Sequence, residues 1–205
     1  MQRKWLLRFL LLAGLAVVAG ASQAQAQTDV ALSLYGAFHG TTNGNGTIQS
    51  PANSAGGMIE LRHISNPLVG YEATYSYNRG NQVYSSACAG ITCTATEPVG
   101  VSANAHQISG AWVASVHIAN LRPFGLAGVG LLLNQPTGGQ SNTSSSTKPV
   151  FLYGAGLDWG LFPHIGLRFQ YRGNLYKAPN LTQLYTSTDA FTHTSEPMIG
   201  AYIRF

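Results

Sequence analysis

Among residues able to do chemistry, His193 and Ser195 stand out, because a histidine two positions from a serine on a strand shares its face and can take its proton, making it a nucleophile. Glu196, the nearest acid, points the opposite way on a regular strand, so nothing orients the pair. Polar residues at a loop edge are the expectation. The six histidines, at 39, 63, 106, 117, 164 and 193, lack the short paired spacing of a metal site, and no cofactor is expected. Cys88 and Cys93 lie in a polar stretch and, in an oxidising compartment, are expected to form a disulfide that braces a loop; a metal pair is the weaker alternative. The largest charged set is Glu60, Arg62, Glu72, Asp158, Arg168, Arg172 and Arg204. Both signs occur in it, so the groups can neutralise one another wherever the fold gathers them.

The chain has to supply elements that do the gathering. At 205 residues, with no proline-rich or charged linker, it reads as one domain behind a targeting segment. Residues 1–26 have the form of a secretory signal peptide: Arg3, Lys4 and Arg8 precede an uncharged run from Phe9 to Ala21, and Ala24-Gln25-Ala26 closes it. That run is shorter than the roughly 20 residues a membrane-spanning helix needs. Cleavage is expected to leave Gln27 first, with residues 27–205 as the mature domain. Three of the 11 Lys and Arg leave with the leader, so eight bases face seven acids, a net charge of +1. No basic patch remains to suggest nucleic acid.

In the mature part apolar and polar residues alternate with period two, in segments of about ten residues, the length a tilted strand needs to cross a bilayer. In 165–172, Ile165, Leu167, Phe169 and Tyr171 oppose Gly166, Arg168, Gln170 and Arg172. Similar faces are expected in 29–38 (Val30, Leu32, Leu34 and Phe38 against Ala31, Ser33, Tyr35 and Ala37), 55–64, 68–78, 150–160 and 193–205. Segment 105–116 is less regular, and 122–133 is so rich in Gly and Leu that its faces do not separate. Connections alternate in length. Three short ones, at 65–67, 117–121 and 161–164, contrast with long ones at 39–54, 79–104, 134–149 and 177–192. That asymmetry belongs to outer-membrane barrels, whose short turns face the periplasm.

A soluble sandwich would share the alternation. Two features favour a closed antiparallel up-and-down transmembrane β-barrel of about eight strands, an all-β fold. The charged set lies on the polar face, and aromatics gather at strand ends, with Phe38, Tyr75, Tyr77, Phe151 and Tyr153 near the long loops and Phe124, Trp159 and Phe205 near the turns. The segment Gly200-Ala201-Tyr202-Ile203-Arg204-Phe205 resembles the carboxy-terminal assembly signal of outer-membrane barrels, carried by Gly200, Ile203 and Phe205; Met198 departs from it, since a polar residue is usual there. With the leader and the strand rhythm, the chain resembles the OmpA-type or opacity-porin-type eight-stranded barrels. The resemblance implies an outer-membrane location, lipid as solvent, the barrel assembly machinery as partner of the last strand, and a monomer.

Eight strands leave a lumen that side chains can fill, so the inward charges are expected to form a packed plug rather than a pore. A structural or surface-interaction role with binding in the loops is the expected function, with a narrow porin-like channel as alternative. The His193-x-Ser195 element resembles that of the lipid A deacylases, also eight-stranded, but their further glutamate has no counterpart here, and no enzyme is expected. Loop composition, as in Ser141-Asn142-Thr143-Ser144-Ser145-Ser146, matches flexible solvated chain and names no ligand.

Overall fold

The computed structural model describes residues 26–87, 97–137 and 142–205. Residues 1–25 of the leader, and both Cys88 and Cys93, lie outside the described residues.

Ten strands follow in chain order: β1 Gln27–His39, β2 Thr42–Gly44, β3 Thr47–Pro51, β4 Ser54–Asn66, β5 Val69–Ser86, β6 Val99–Ser115, β7 Leu121–Pro136, β8 Ser146–Gly160, β9 Ile165–Lys177 and β10 Phe191–Arg204. Eight of them, β1 and β4 to β10, form an antiparallel barrel in which sequence neighbours pair, and β1 closes the ring on β10 from Asp29↔Arg204 to His39↔Thr194. Closure gives every wall strand two partners, which matters where no water is present to satisfy an edge. Gly200 of the terminal strand faces inward against β1, where a Cβ would collide with Ser33 Oγ and the Leu32 carbonyl.

Burial runs opposite to that of a water-soluble protein. Arg62, Arg168, Arg172, Glu60, Asp29 and Asp158 are fully buried, whereas Leu32 and Leu34 are 69% and 70% exposed. Such an inside-out distribution is stable only when the outer solvent is apolar. The faces expected for 29–38, 55–64, 68–78, 150–160, 165–172 and 193–205 are those observed. In β7, where the sequence left the faces unresolved, Arg122, Phe124, Leu126, Leu132 and Asn134 point inward and Val129 and Leu131 outward. Phe124 is therefore not a girdle residue. It is buried in the lumen, because its parity follows Arg122, whose charge has to be inside.

The outer side is more built than its composition suggests. β5 and β6, with 18 and 17 residues, exceed the about 9–11 that a tilted strand needs to span lipid and continue past it. The connection 39–54 holds the β2–β3 hairpin, turned by Asn45 and Gly46, both with positive φ, as a tight two-residue hairpin requires. β3 pairs with the projecting end of β5. The short turns all fall at the opposite end.

Candidate functional site

The lumen is filled in two layers, and the first is ionic. Arg168 projects from β9 and donates to Asp158 Oδ1 at 2.7 Å, Asp29 Oδ1 at 2.7 Å and Glu60 Oε2 at 3.2 Å. Arg122 of β7 meets Asp29 Oδ2 and Asp158 Oδ2, each at 2.7 Å. Arg62 of β4 pairs with Glu72 of β5 and lies 3.4 Å from Asp158. Its guanidinium sits 3.9 Å over the Phe124 ring. Arg172 donates to Glu72 Oε1 at 2.9 Å and Thr74 Oγ1 at 3.2 Å. Four guanidiniums thus face four carboxylates, drawn from six strands. Neutrality and dense pairing are what make burial of so many charges tolerable.

Of the charged residues singled out by sequence, Glu60, Arg62, Glu72, Asp158, Arg168 and Arg172 are brought together. Arg204 stands apart at the periplasmic mouth, hydrogen-bonded to the Tyr202 hydroxyl at 3.1 Å. Two members were missed. Asp29 shares the parity of Ala31 and Ser33, so alternation pointed to it; Arg122 was hidden by the Gly- and Leu-rich run that follows it.

The second layer, toward the long loops, is made of amides and hydroxyls. Gln107, Asn174, Tyr176, Thr194 and Glu196 surround a cavity of about 30 Å³, room for roughly two waters at 10–15 Å³ each. Glu196 faces this space and forms no ion pair within 4.0 Å among the described residues. A cap made by the last long connection covers the mouth. Tyr84 Oη donates to the Pro179 carbonyl at 2.9 Å and accepts from Leu181 N at 3.0 Å, while Gln49 Nε2 donates to the same carbonyl at 2.9 Å. Leu181 is fully buried with Tyr84, Val101, Ala103 and Tyr185. Thr188 packs on Thr42, and Asn45 Nδ2 donates to Ser187 O at 2.8 Å, so the hairpin and the cap hold each other. Segment 178–190 is thus folded rather than free chain.

His193 and Ser195 lie outside the wall near the outer rim. Ser195 Oγ is 3.5 Å from His193 Nδ1 and 3.0 Å from Tyr171 Oη, and His193 Nε2 is 3.0 Å from Tyr153 Oη. Glu196 is on the luminal side, and among the described residues the imidazole's hydrogen-bond partners are hydroxyls, not a carboxylate. Four of the other five histidines bond separately: His39 to Thr194, His63 to Thr28, His106 to Tyr75 and His164 to the Arg204 carbonyl. Among the described residues no group of three His, Cys, Asp or Glu is placed to hold a metal.

Residues 8–194 match the family model of the outer membrane protein beta-barrel domain. Neisserial surface protein A is similar in structure, at 16% identity and a TM-score of 0.57, over 89% of this chain and 100% of that one. Ail, the attachment invasion locus protein of Yersinia pestis, aligns at 16% identity and a TM-score of 0.50 over the same shares. OprG of Pseudomonas aeruginosa aligns at 9% identity and a TM-score of 0.57, over 88% of this chain and 96% of that one. These identities speak to fold alone. The comparison with curated proteins finds no match.

Proposed function

The chain belongs to the outer membrane protein beta-barrel family, and from that premise we propose that it is a non-conducting barrel carrying a surface-interaction platform built from its first and last long connections. One observation carries the reading: the lumen is stopped twice, by the Arg–carboxylate layer below and by the Leu181 cap above. Such a barrel has little to offer a solute in transit. It does offer a rigid, folded outer surface, which is where binding residues are productive.

Charge narrows the partner. The outer end carries Arg79, Lys148 and Lys177 against Glu97 and Asp189, a net charge of +1. A polysulfated ligand such as the heparin analogue sucrose octasulfate in the Ail complex would meet few cations here. The platform is rich in hydroxyls and amides, which suits hydrogen-bonding partners better. The same proposal has residues 1–26 removed on export, Cys88 bridged to Cys93, Gly200, Ile203 and Phe205 read by the assembly machinery, and the mature barrel acting as a monomer.

Planar-bilayer recording of the refolded mature chain tests the central element. A silent bilayer is expected; reproducible unitary steps would favour the narrow channel instead. Acyl release from lipid A, compared between wild type and Ser195→Ala, tests the remaining reading, and no release from either is expected.

A further inference from the structure

The lipid-facing wall is not uniformly studded with large side chains. At one level, Pro197 of β10, Gly36 of β1 and Ala55 of β4 stand in a row across three adjacent strands, all outward. One step toward the periplasm the wall carries Ile199 and Leu34, and one step outward it carries Ser195 and Phe38. The small residues therefore floor an apolar groove of about 420 Å³. Packing of the wall does not require it: a Cβ on Gly36 would touch only the ring of Phe38, at 3.1 Å. The β1–β10 ladder is also interrupted here, running to Tyr35↔Met198 and resuming at Phe38↔Ser195, since Pro197 has no N–H to give.

One step outward from the groove's Pro197 end, and running from β10 over β9 and β8, lies the polar group already described. Tyr171 neighbours Pro197 on β9, and its hydroxyl reaches Ser195, which continues to His193 and, on β8, to Tyr153. Hydroxyls and an imidazole thus span three strands, about 10 Å at the usual strand spacing, within a belt that the exposed Phe151, Leu175 and Phe191 continue outward. Lys177, outward on β9, stands above them at the rim.

An apolar trough joined at its β10 end to a polar strip on β9 and β8, within a wall already in contact with lipid, has the anatomy of an acylated headgroup lying along the barrel. We infer that this face holds one acylated, phosphorylated glycolipid of the outer leaflet. One acyl chain fills the Pro197–Gly36–Ala55 groove, and the sugar hydroxyls and ester carbonyls meet Ser195, His193, Tyr171 and Tyr153. The strip's width matches a pair of sugar rings better than a single glycerol ester, and Lys177 is the cation within reach of a phosphate.

Native mass spectrometry of the refolded mature chain, with lipid A or phosphatidylglycerol of equal chain length, tests this. Wild type should retain one lipid A adduct and bind phosphatidylglycerol at least tenfold more weakly. Ala55→Phe, which fills the groove, should lose lipid A affinity at least tenfold, whereas Ala73→Phe, outward on β5, should leave it unchanged. Equal retention by Ala55→Phe and wild type, or equal binding of the two lipids, overturns the inference. So does a wild-type dimer that Ala55→Phe dissolves, which would assign the groove to a second copy. If Ala55→Phe does not show the heat-modifiable mobility of a folded barrel, the double variant His193→Ala/Ser195→Ala decides: severalfold weaker lipid A binding supports the glycolipid, and unchanged binding overturns it.

Discussion

The two halves of the lumen are closed by different means. Toward the periplasm, Arg62, Arg122, Arg168 and Arg172 interlock with four carboxylates carried by strands distant in sequence. Toward the outside, one buried leucine and a tyrosine hydroxyl hold a loop across the mouth. The first closure is part of the wall, because every ion pair but Arg62–Glu60 joins two strands and is lost if one of them slips by one residue. The second is laid over a finished barrel and can be loosened without unfolding it. Strength and replaceability are separated along one axis.

Breaking the ionic layer should cost most. Arg168→Met leaves Asp29, Glu60 and Asp158 short of a partner, and a loss of about 3–5 kcal/mol is expected, read as a lowered denaturant midpoint in detergent micelles. Leu181→Ala should cost about 2 kcal/mol, the low end for such a truncation, because a loop can settle into the space. The loss should appear as faster amide exchange in 178–190 with a nearly unchanged global midpoint, and no conductance should follow, since the lower layer still blocks the lumen. Phe124→Leu keeps the apolar volume but removes the ring beneath Arg62; about 1 kcal/mol is expected, by the same midpoint. Tyr75→Phe deletes an exposed hydroxyl contact to His106 and should move the midpoint by less than about 0.5 kcal/mol. If Leu181→Ala lowered the global midpoint as much as Arg168→Met, the two closures would not be separable.

The comparison also explains what could be read in advance. The wall was legible because a strand's parity is unforgiving: once Arg168 and Arg172 share a face, Phe169 and Tyr171 have to share the other. Six of the eight ionic partners followed from that alternation. Arg122 does not follow from it, since Gly125, Gly128 and Gly130 blur the contrast along β7, and the type of Phe124 by itself suggests an interfacial ring. Only its place two residues from Arg122 sends it inward. The cap was not legible. Ser, Thr and Asn compose both free chain and folded segments, and what orders 178–190 is tertiary: the pocket between Tyr84, Val101 and Tyr185 that receives Leu181. The grouping of His193 with Ser195 was visible from their spacing, but their link to Tyr153 and Tyr171 depends on strand register that a sequence does not display.

The central claim is that the apolar face of this wall meets lipid tails while the charges meet one another inside. Beyond the leader the chain has two tryptophans, Trp112 and Trp159, both outward and 48% and 45% exposed. Fluorescence of the refolded mature chain in bilayers of phospholipid brominated on the acyl chains tests the claim without a mutation. Strong quenching relative to unbrominated lipid is the predicted result; emission indifferent to bromine, from a chain that stays folded, would contradict it.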